Sequence, residues 1–242
     1  MLEAACKPVL LNIGNTHVQI QHGTGGEIVS VPTGSFRIDD LPADQPCAAA
    51  CVVPAFLPDL KKRGAVIVNS VSAGSFIDFS PVDSSTLGSD RIANAAAMVA
   101  LGISLPAVCI DAGTAITFEV LDVDMRFLGG AILPGRRLLR QSLHTGTAQL
   151  PDIPLAGDLP GFPAVCTVDA IRWGTDGLVI EGVKGLLQRL KDSFHGNLTC
   201  IITGGDAPFF KTYLPELELA PPDFTLRGVD FVFRKIRNGV DL

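Results

Sequence analysis

Leu10-Leu11-Asn12-Ile13-Gly14-Asn15-Thr16 and Cys109-Ile110-Asp111-Ala112-Gly113-Thr114-Ala115 decide the reading of this chain. Each is an apolar run that ends in an amide or a carboxylate, then a small gap, a glycine, and hydroxyl or amide residues. Each is followed by the alternation of a returning strand, Val18 and Ile20 after the first and Ile116 to Leu121 after the second. In such a hairpin the glycine lets the backbone approach an anion, and successive N–H groups with nearby hydroxyls form a nest for phosphate oxygens. A leading acid at the strand end can hold a cation, or its waters, against those phosphates. One copy reads as an ordinary turn. Two copies, each heading its own half, predict an α/β fold built by duplication. The expected domains are residues 1–104 and 105–242, with a cleft between them.

Working outward, Glu27 to Val31, Ala48 to Val53 and Ala65 to Val71 read as further strands of the first half, with a short helix over Pro58 to Arg63. The Ala-, Met- and Leu-rich run from Asp90 to Leu101 reads as a helix opened by Ser89 or Asp90 and closed at Gly102. In the second half, strands are expected at Ala107 to Ile110, Phe127 to Leu133 and Leu198 to Thr203. Helices are expected at Arg136 to Leu143 and across Asp169 to Leu190. Thr145 to Pro163 is Gly/Pro-rich and reads as a loop. The last segment gives no clean signal.

Composition narrows the classes. Of 242 residues, 47% are hydrophobic and 18% charged, and mean hydropathy is +0.37. Such a chain can bury a large core. Its longest apolar stretch, Ile92 to Ile110, is broken by Asn94, Ser104 and Pro106, so no membrane span is expected. Sparse surface charge points to self-association. The net charge is −6 and no basic cluster exceeds Lys61-Lys62-Arg63, which argues against nucleic acid. Met1 to Ala5 lacks the basic and apolar regions of a signal peptide, and the six scattered cysteines form no CxxC pair. Both features fit a cytoplasmic protein with reduced, buried thiols.

Thr86-Leu87-Gly88-Ser89-Asp90-Arg91 follows a loop and opens a helix. Asp90 could take a proton from a substrate hydroxyl, and Arg91 could pair with an anionic group. The same residues also suit a capping serine, a first-turn acid and a surface arginine. Gly129-Gly130-Ala131-Ile132-Leu133-Pro134-Gly135 and Thr203-Gly204-Gly205-Asp206 could pass close to a ligand or be plain turns. Thr167 could contact a ligand or cap a helix. Trp173 reads as packing, and the four histidines show no metal spacing.

Taken together these motifs resemble type III pantothenate kinase. The match runs through Asn12-x-Gly14-Asn15-Thr16, Cys51-Val52-Val53-Pro54-Ala55, Gly88-Ser89-Asp90-Arg91-x-x-Asn94, Asp111-x-Gly113-Thr114-Ala115-x-Thr117, Gly129-Gly130-x-Ile132-x-Pro134-Gly135 and Thr203-Gly204-Gly205-Asp206. It keeps order from about residue 8 to about residue 228. The resemblance implies two ribonuclease-H-like domains of the actin and sugar-kinase superfamily, and ATP-dependent phosphorylation of pantothenate. It makes Asp90 the proton acceptor and Gly88, Ser89, Asp90, Arg91 and Thr167 the pantothenate contacts. Asn12, Ile13, Gly14, Asn15, Thr16, His17, Val18, Gln19 and Thr114 would meet ATP, carried with Mg2+. Asp111 would hold a monovalent cation, K+ or NH4+, and the protein would be a homodimer. Against the family pattern, Asn12 stands for Asp, Glu119 for Asp, His17 for Asn and Trp173 for a small residue. Asn12 also leaves open a non-catalytic homologue, and the fold leaves open a kinase of another small alcohol.

Overall fold

A computed structural model describes residues 7–155 and 157–238; Cys6 and the other remaining positions lie outside the described residues. The chain starts with β1 (Val9–Ile13), β2 (His17–His22), β3 (Ile28–Pro32), β4 (Cys47–Cys51), helix α1 (Leu57–Lys62) and β5 (Val66–Ile67). These strands form one sheet in the order β3-β2-β1-β4-β5. β1 runs antiparallel to β2 and parallel to β4, and β4 runs parallel to β5. Next come α2 (Ser70–Ala73) and α3 (Ser89–Ala100), then β6 (Ala107–Ala112), β7 (Ala115–Leu121), β8 (Phe127–Gly129) and β9 (Ile132–Pro134). Helices α4 (Arg136–Gly146), α5 (Thr167–Arg172) and α6 (Leu178–Ser193) lead to β10 (Thr199–Thr203), α7 (Ala207–Tyr213), β11 (Glu218–Leu219) and α8 (Phe224–Arg237). The second sheet runs β11-β10-β6-β7-β8, with β9 also on β7. Counted from its own first strand, and with β9 left aside as the strand off the main path, each sheet has the order 3-2-1-4-5. The α/β fold with a repeated plan, expected from the paired hairpins, is present.

β1 reads as a continuous apolar run because both its faces are covered. Val9, Leu11 and Ile13 join Val18, Phe36, Ile38, Leu41 and Leu60 in one core cluster. Leu10 and Asn12 fall on the opposite face by the two-residue period, the side on which α3 and α8 lie against β4 and β1. β4 is Cys47-Ala48-Ala49-Ala50-Cys51, buried throughout. Its small side chains let those helices come close. The carboxyl ends of β1, β4 and β5 share one edge of the sheet, the usual place for ligands in α/β sheets.

Contacts group the chain into two compact units, drawn differently from a single cut after residue 104. One unit takes residues up to Cys109, with Glu119–Gly129 and Pro221 onward; the other takes Ile110–Phe118 and Gly130–Ala220. The physical reason is α8, which the sequence reading missed along with α7. α8 buries Phe224, Leu226, Val229, Val232 and Phe233 and returns to the first unit by packing on α3. Gly228 makes this possible, since a Cβ there would collide with the carbonyl of Ala93. Three other expectations need correction. Phe127 to Leu133 is two strands broken at Gly130-Ala131. Only Val66–Ile67 of the expected Ala65–Val71 strand pairs, because Asn69 caps a helical turn, accepting from Ser72 N at 2.8 Å. The helix expected over Asp169–Leu190 is interrupted by a π-helical turn at Trp173–Gly177.

Within the first unit one buried acid fixes the start of α3. Glu119 is wholly buried and accepts from Arg91 Nε at 3.0 Å and Asn94 Nδ2 at 3.5 Å. Asn94 in turn accepts from Thr225 Oγ1 of α8 at 2.7 Å. Ser89 Oγ donates to the carbonyl of Val68 at 2.6 Å, and Val68 N to the carbonyl of Ala49. Sheet, α3 and α8 are thus joined through polar atoms that are buried or partly buried. Glu119→Ala is expected to lower stability by about 3–5 kcal/mol, because it takes a wholly buried carboxylate away from the mostly buried Arg91 guanidinium and from Asn94. Denaturant unfolding checks this; a loss below about 1 kcal/mol would mean that Arg91 needs no buried partner.

Candidate functional site

In the first unit the β1–β2 hairpin is tight. Gly14 N donates to the carbonyl of His17 at 3.0 Å. Thr33, which the sequence reading did not single out, pins this turn twice. Its hydroxyl donates to the carbonyl of Gly14 at 2.7 Å and its N–H to the carbonyl of Thr16 at 3.0 Å. Asn15, Thr16 and His17 are exposed, while Ile13 and Val18 are buried in the core. A ligand on this hairpin would meet Ile13 and Val18 only through their backbone. Asn12 Nδ2 donates to Gln19 Oε1 at 3.2 Å, across the ladder pair Asn12↔Gln19. That bond leaves the amide oxygen of Asn12 as the group offered to a cation or its water. No carboxylate stands at this position.

The α3 start lies at the same edge of the sheet, tied there through Ser89, Val68 and β4. Gly88 precedes the helix and Asp90 folds back over it, with Asp90 Oδ1 accepting from Arg91 N at 2.8 Å. Burial pushes the Asp90 carboxyl up from its ordinary value, and the weaker pull of the Arg91 N–H and guanidinium opposes this. An acid with its pKa raised is a better proton acceptor than one simply stabilised by a helix N-terminus. The capping serine expected here is absent: Ser89 uses its hydroxyl on Val68. Arg91 is held by Glu119 and lies 5.8 Å from the ring of Phe127. Phe79, at the start of the loop that leads to Gly88, is buried 5.7 Å from Phe127. With Ser80, Val82 and Ser84 it lines a pocket of about 690 Å³.

The second unit repeats the plan with different charges. Asp111, half-buried, ends β6, and Thr114 is exposed at the turn. The carbonyl of Thr114 accepts from Gly135 N at 3.0 Å, so the expected glycine-rich segment sits on this hairpin. Gly204 crosses the end of β6 so closely that a Cβ would lie 2.6 Å from Asp111 Oδ1. Its φ of +93° is one that other residues rarely adopt. Asp206 N donates to the carbonyl of Ala112 at 2.9 Å. Asp111 therefore meets the Thr203-Gly204-Gly205-Asp206 turn, and hard carboxylate and carbonyl oxygens of this kind suit K+ or Mg2+. Among the described residues no group of three or more His, Cys, Asp or Glu could hold a metal by itself. A cation at Asp111 would complete its shell with backbone, water or ligand oxygens.

A cluster that the sequence reading passed over stands beside this turn. Arg136, the first residue of α4, donates from Nε and Nη2 to the two oxygens of Asp176, both at 3.0 Å. Its Nη1 reaches Asp206 Oδ1 at 3.3 Å. Arg140, one turn on, also bonds Asp176 and the carbonyl of Pro154. The spacing of Arg136 and Arg140, which puts both on one face of α4, was the available signal. Thr167, the remaining expected contact, is exposed at the start of α5. Trp173 packs as expected, 5.1 Å from Phe162, and donates to the carbonyl of Pro160 at 3.1 Å. Four described cysteines are buried, but Cys166 is exposed, against expectation.

Comparison with known proteins follows the same line. The family model for type III pantothenate kinase matches residues 45–189. The type III pantothenate kinase of Paramagnetospirillum magneticum is 35% identical over 153 residues, covering 62% of this chain and 56% of that protein. The chain thus spans a little over half the length of that relative in the match. The type III pantothenate kinase of Porphyromonas gingivalis is 32% identical over 241 residues, 94% of this chain and 93% of that one. Among solved structures, a Baf family transcriptional activator from Campylobacter jejuni superimposes with a TM-score of 0.68 at 22% identity, covering 96% of this chain and 100% of that one; this likeness is one of fold. No described helix is long and apolar enough to cross a membrane. With the model matching more than half of its length, the chain belongs to the type III pantothenate kinase family.

Proposed function

We propose that this chain phosphorylates pantothenate with ATP, giving 4'-phosphopantothenate for coenzyme A synthesis. The observation that carries the reading is Asp90, held at the start of α3 with its pKa raised by burial. In the step, the pantothenate hydroxyl oxygen forms a bond to the γ-phosphorus as the bond from that phosphorus to the β,γ-bridging oxygen breaks. The hydroxyl proton passes to Asp90, and ADP leaves. Gly88, Ser89, Arg91 and Thr167 contact pantothenate. The first hairpin, Asn12 to Gln19, and Thr114 of the second contact ATP. Positioning and electrostatics supply most of the rate, as is general for phosphoryl transfer. Asp111 supplies the oxygen ligand for a monovalent cation, K+ or NH4+. Mg2+ arrives with the nucleotide, and Asn12 offers it one neutral oxygen. An ATP-dependent step of coenzyme synthesis fits a cytoplasmic enzyme, and neither nucleic acid nor membrane enters the reading.

Asp90→Asn is expected to reduce kcat about 10²–10⁴-fold. It keeps the oxygen that accepts from Arg91 N, so the fold persists. Because the folded pKa of Asp90 is raised, its charge opposes folding increasingly as pH rises through the unfolded value near 3.9. The variant should therefore melt no lower than wild type at neutral pH. In wild type, kcat/KM should fall as pH drops through the raised pKa, since the base must be ionised. A variant that keeps most of its activity in a coupled ADP-release assay would reduce Asp90 to a first-turn acid.

Asn12→Asp is expected to tighten Mg·ATP binding roughly ten- to a hundredfold, the scale of one added charge acting through water on a divalent ion. A Mg2+ titration with ATP and pantothenate checks it. No gain in a wild type already fast would free the metal from this position; binding without turnover in both forms would favour a non-catalytic homologue.

The family habit and the apolar composition make the protein a homodimer. Light scattering at micromolar concentration should give about twice the mass of the chain, and a monomer would remove this part of the reading.

A further inference from the structure

Arg136 joins three segments of the second unit at one buried guanidinium. Its side chain is 6% exposed, and that of its partner Asp176 is 3% exposed. It starts α4 directly after Gly135, whose N–H holds Thr114. Its third bond goes to Asp206, whose side chain is 21% exposed at the turn against Ala112. The guanidinium also stacks on Phe209 of α7, 3.4 Å from the ring centre. Arg140 shares Asp176 but is spent on the carbonyls of Ile153 and Pro154. Of the two arginines bound to Asp176, Arg136 is the one that couples a buried acid to a partly exposed one. The π-helical turn at Trp173–Gly177 carries Asp176 into this position, and such turns recur at functional sites.

We propose that Arg136 is a positioning residue for the nucleotide: by holding Asp206 and the Thr114 turn together, it sets affinity for the polyphosphate. The inference rests on the kinase reading above and deepens it. The physical argument is charge. Asp206 borders this turn beside Asp111, and a carboxylate left without its counter-charge there would repel phosphate oxygens. Arg136 binds one oxygen of Asp206 at 3.3 Å and offsets part of its charge without itself being open to solvent. A core pair with a merely structural role would weaken all ligands alike when lost. A charge-cancelling pair weakens ligands in proportion to their phosphates.

The test is calorimetric binding of ATP and AMP to the full chain, with steady-state KM for ATP and pantothenate. Arg136→Met is expected to raise the ATP Kd tenfold or more, the AMP Kd about threefold or less, and the pantothenate KM less than twofold. Adding Asp206→Asn to it should restore ATP binding, since the bare carboxylate is gone. If the single variant does not fold, Arg136→Met/Arg140→Met/Asp176→Leu removes all three buried charges of the cluster and keeps the core apolar; the same ATP-over-AMP loss is expected of it. A folded variant with wild-type ATP affinity overturns the proposal, and so does equal weakening of ATP and AMP. Wild type that binds no nucleotide overturns the kinase reading and this inference with it.

Discussion

A carboxylate taken out of water must be met by a cation and by donors, or it unfolds its surroundings. Each unit of this protein is built around one such acid. Glu119 of β7 is wholly buried and binds Arg91 and Asn94. Asp176, in a π-helical turn, is nearly so and binds Arg136 and Arg140. In both cases an arginine sits within the first turn of a helix that follows a glycine, Gly88 before α3 and Gly135 before α4. The ionic constraint therefore acts where a helix N-terminus meets the residues of the site. Burial fixes the guanidinium and the guanidinium fixes the helix start. Around Asp90, that fixed start is what allows a carboxylate to sit half-buried with its pKa raised.

The departures from the family pattern gain a physical reading on this basis. Glu119, one methylene longer than Asp, spans from β7 to Arg91 on α3 and to Asn94 one turn on. Asp206 is committed in part to Arg136. The long loop that starts at Phe79 packs this buried aromatic against Phe127 and lines a pocket with serines and Val82.

Much of the fold was legible because its signals are local. The paired hairpins give period-two alternation on either side of a glycine, and both sheets grow from them. What stayed hidden was set by tertiary contact. α8 has Gly228 in its middle and aromatic and β-branched residues along it, all weak helix formers. It is helical because Phe224, Val229, Val232 and Phe233 bury against α3, which needs that glycine. The site divides the same way. Asp90, Asn12, Asp111 and Thr114 stand in motifs that state their chemistry in sequence. Thr33, Asp176 and Arg136 stand in none. Their roles come from partners 19, 40 and 70 residues away, and no window of sequence contains both ends of those bonds.

Duplication gave the two hairpins one backbone, and their side chains have since diverged in charge. The second keeps Asp111 at the strand end, with Asp206 across the turn and Arg136 to moderate it. The first carries Asn12, turned by Gln19 so that a neutral oxygen is left over, and its turn is pinned by Thr33 rather than by any ion pair. Both hairpins are tight, with Gly14 N donating to the carbonyl of His17 and Gly113 N to that of Ala115. Holding a bare cation needs charge, and only the second retains that at its strand end. On the kinase reading proposed above, the cation falls to Asp111 of the second hairpin. Asn12 with Gln19, and Asp111 with Asp206 and Arg136, are thus two charge arrangements built on one hairpin plan.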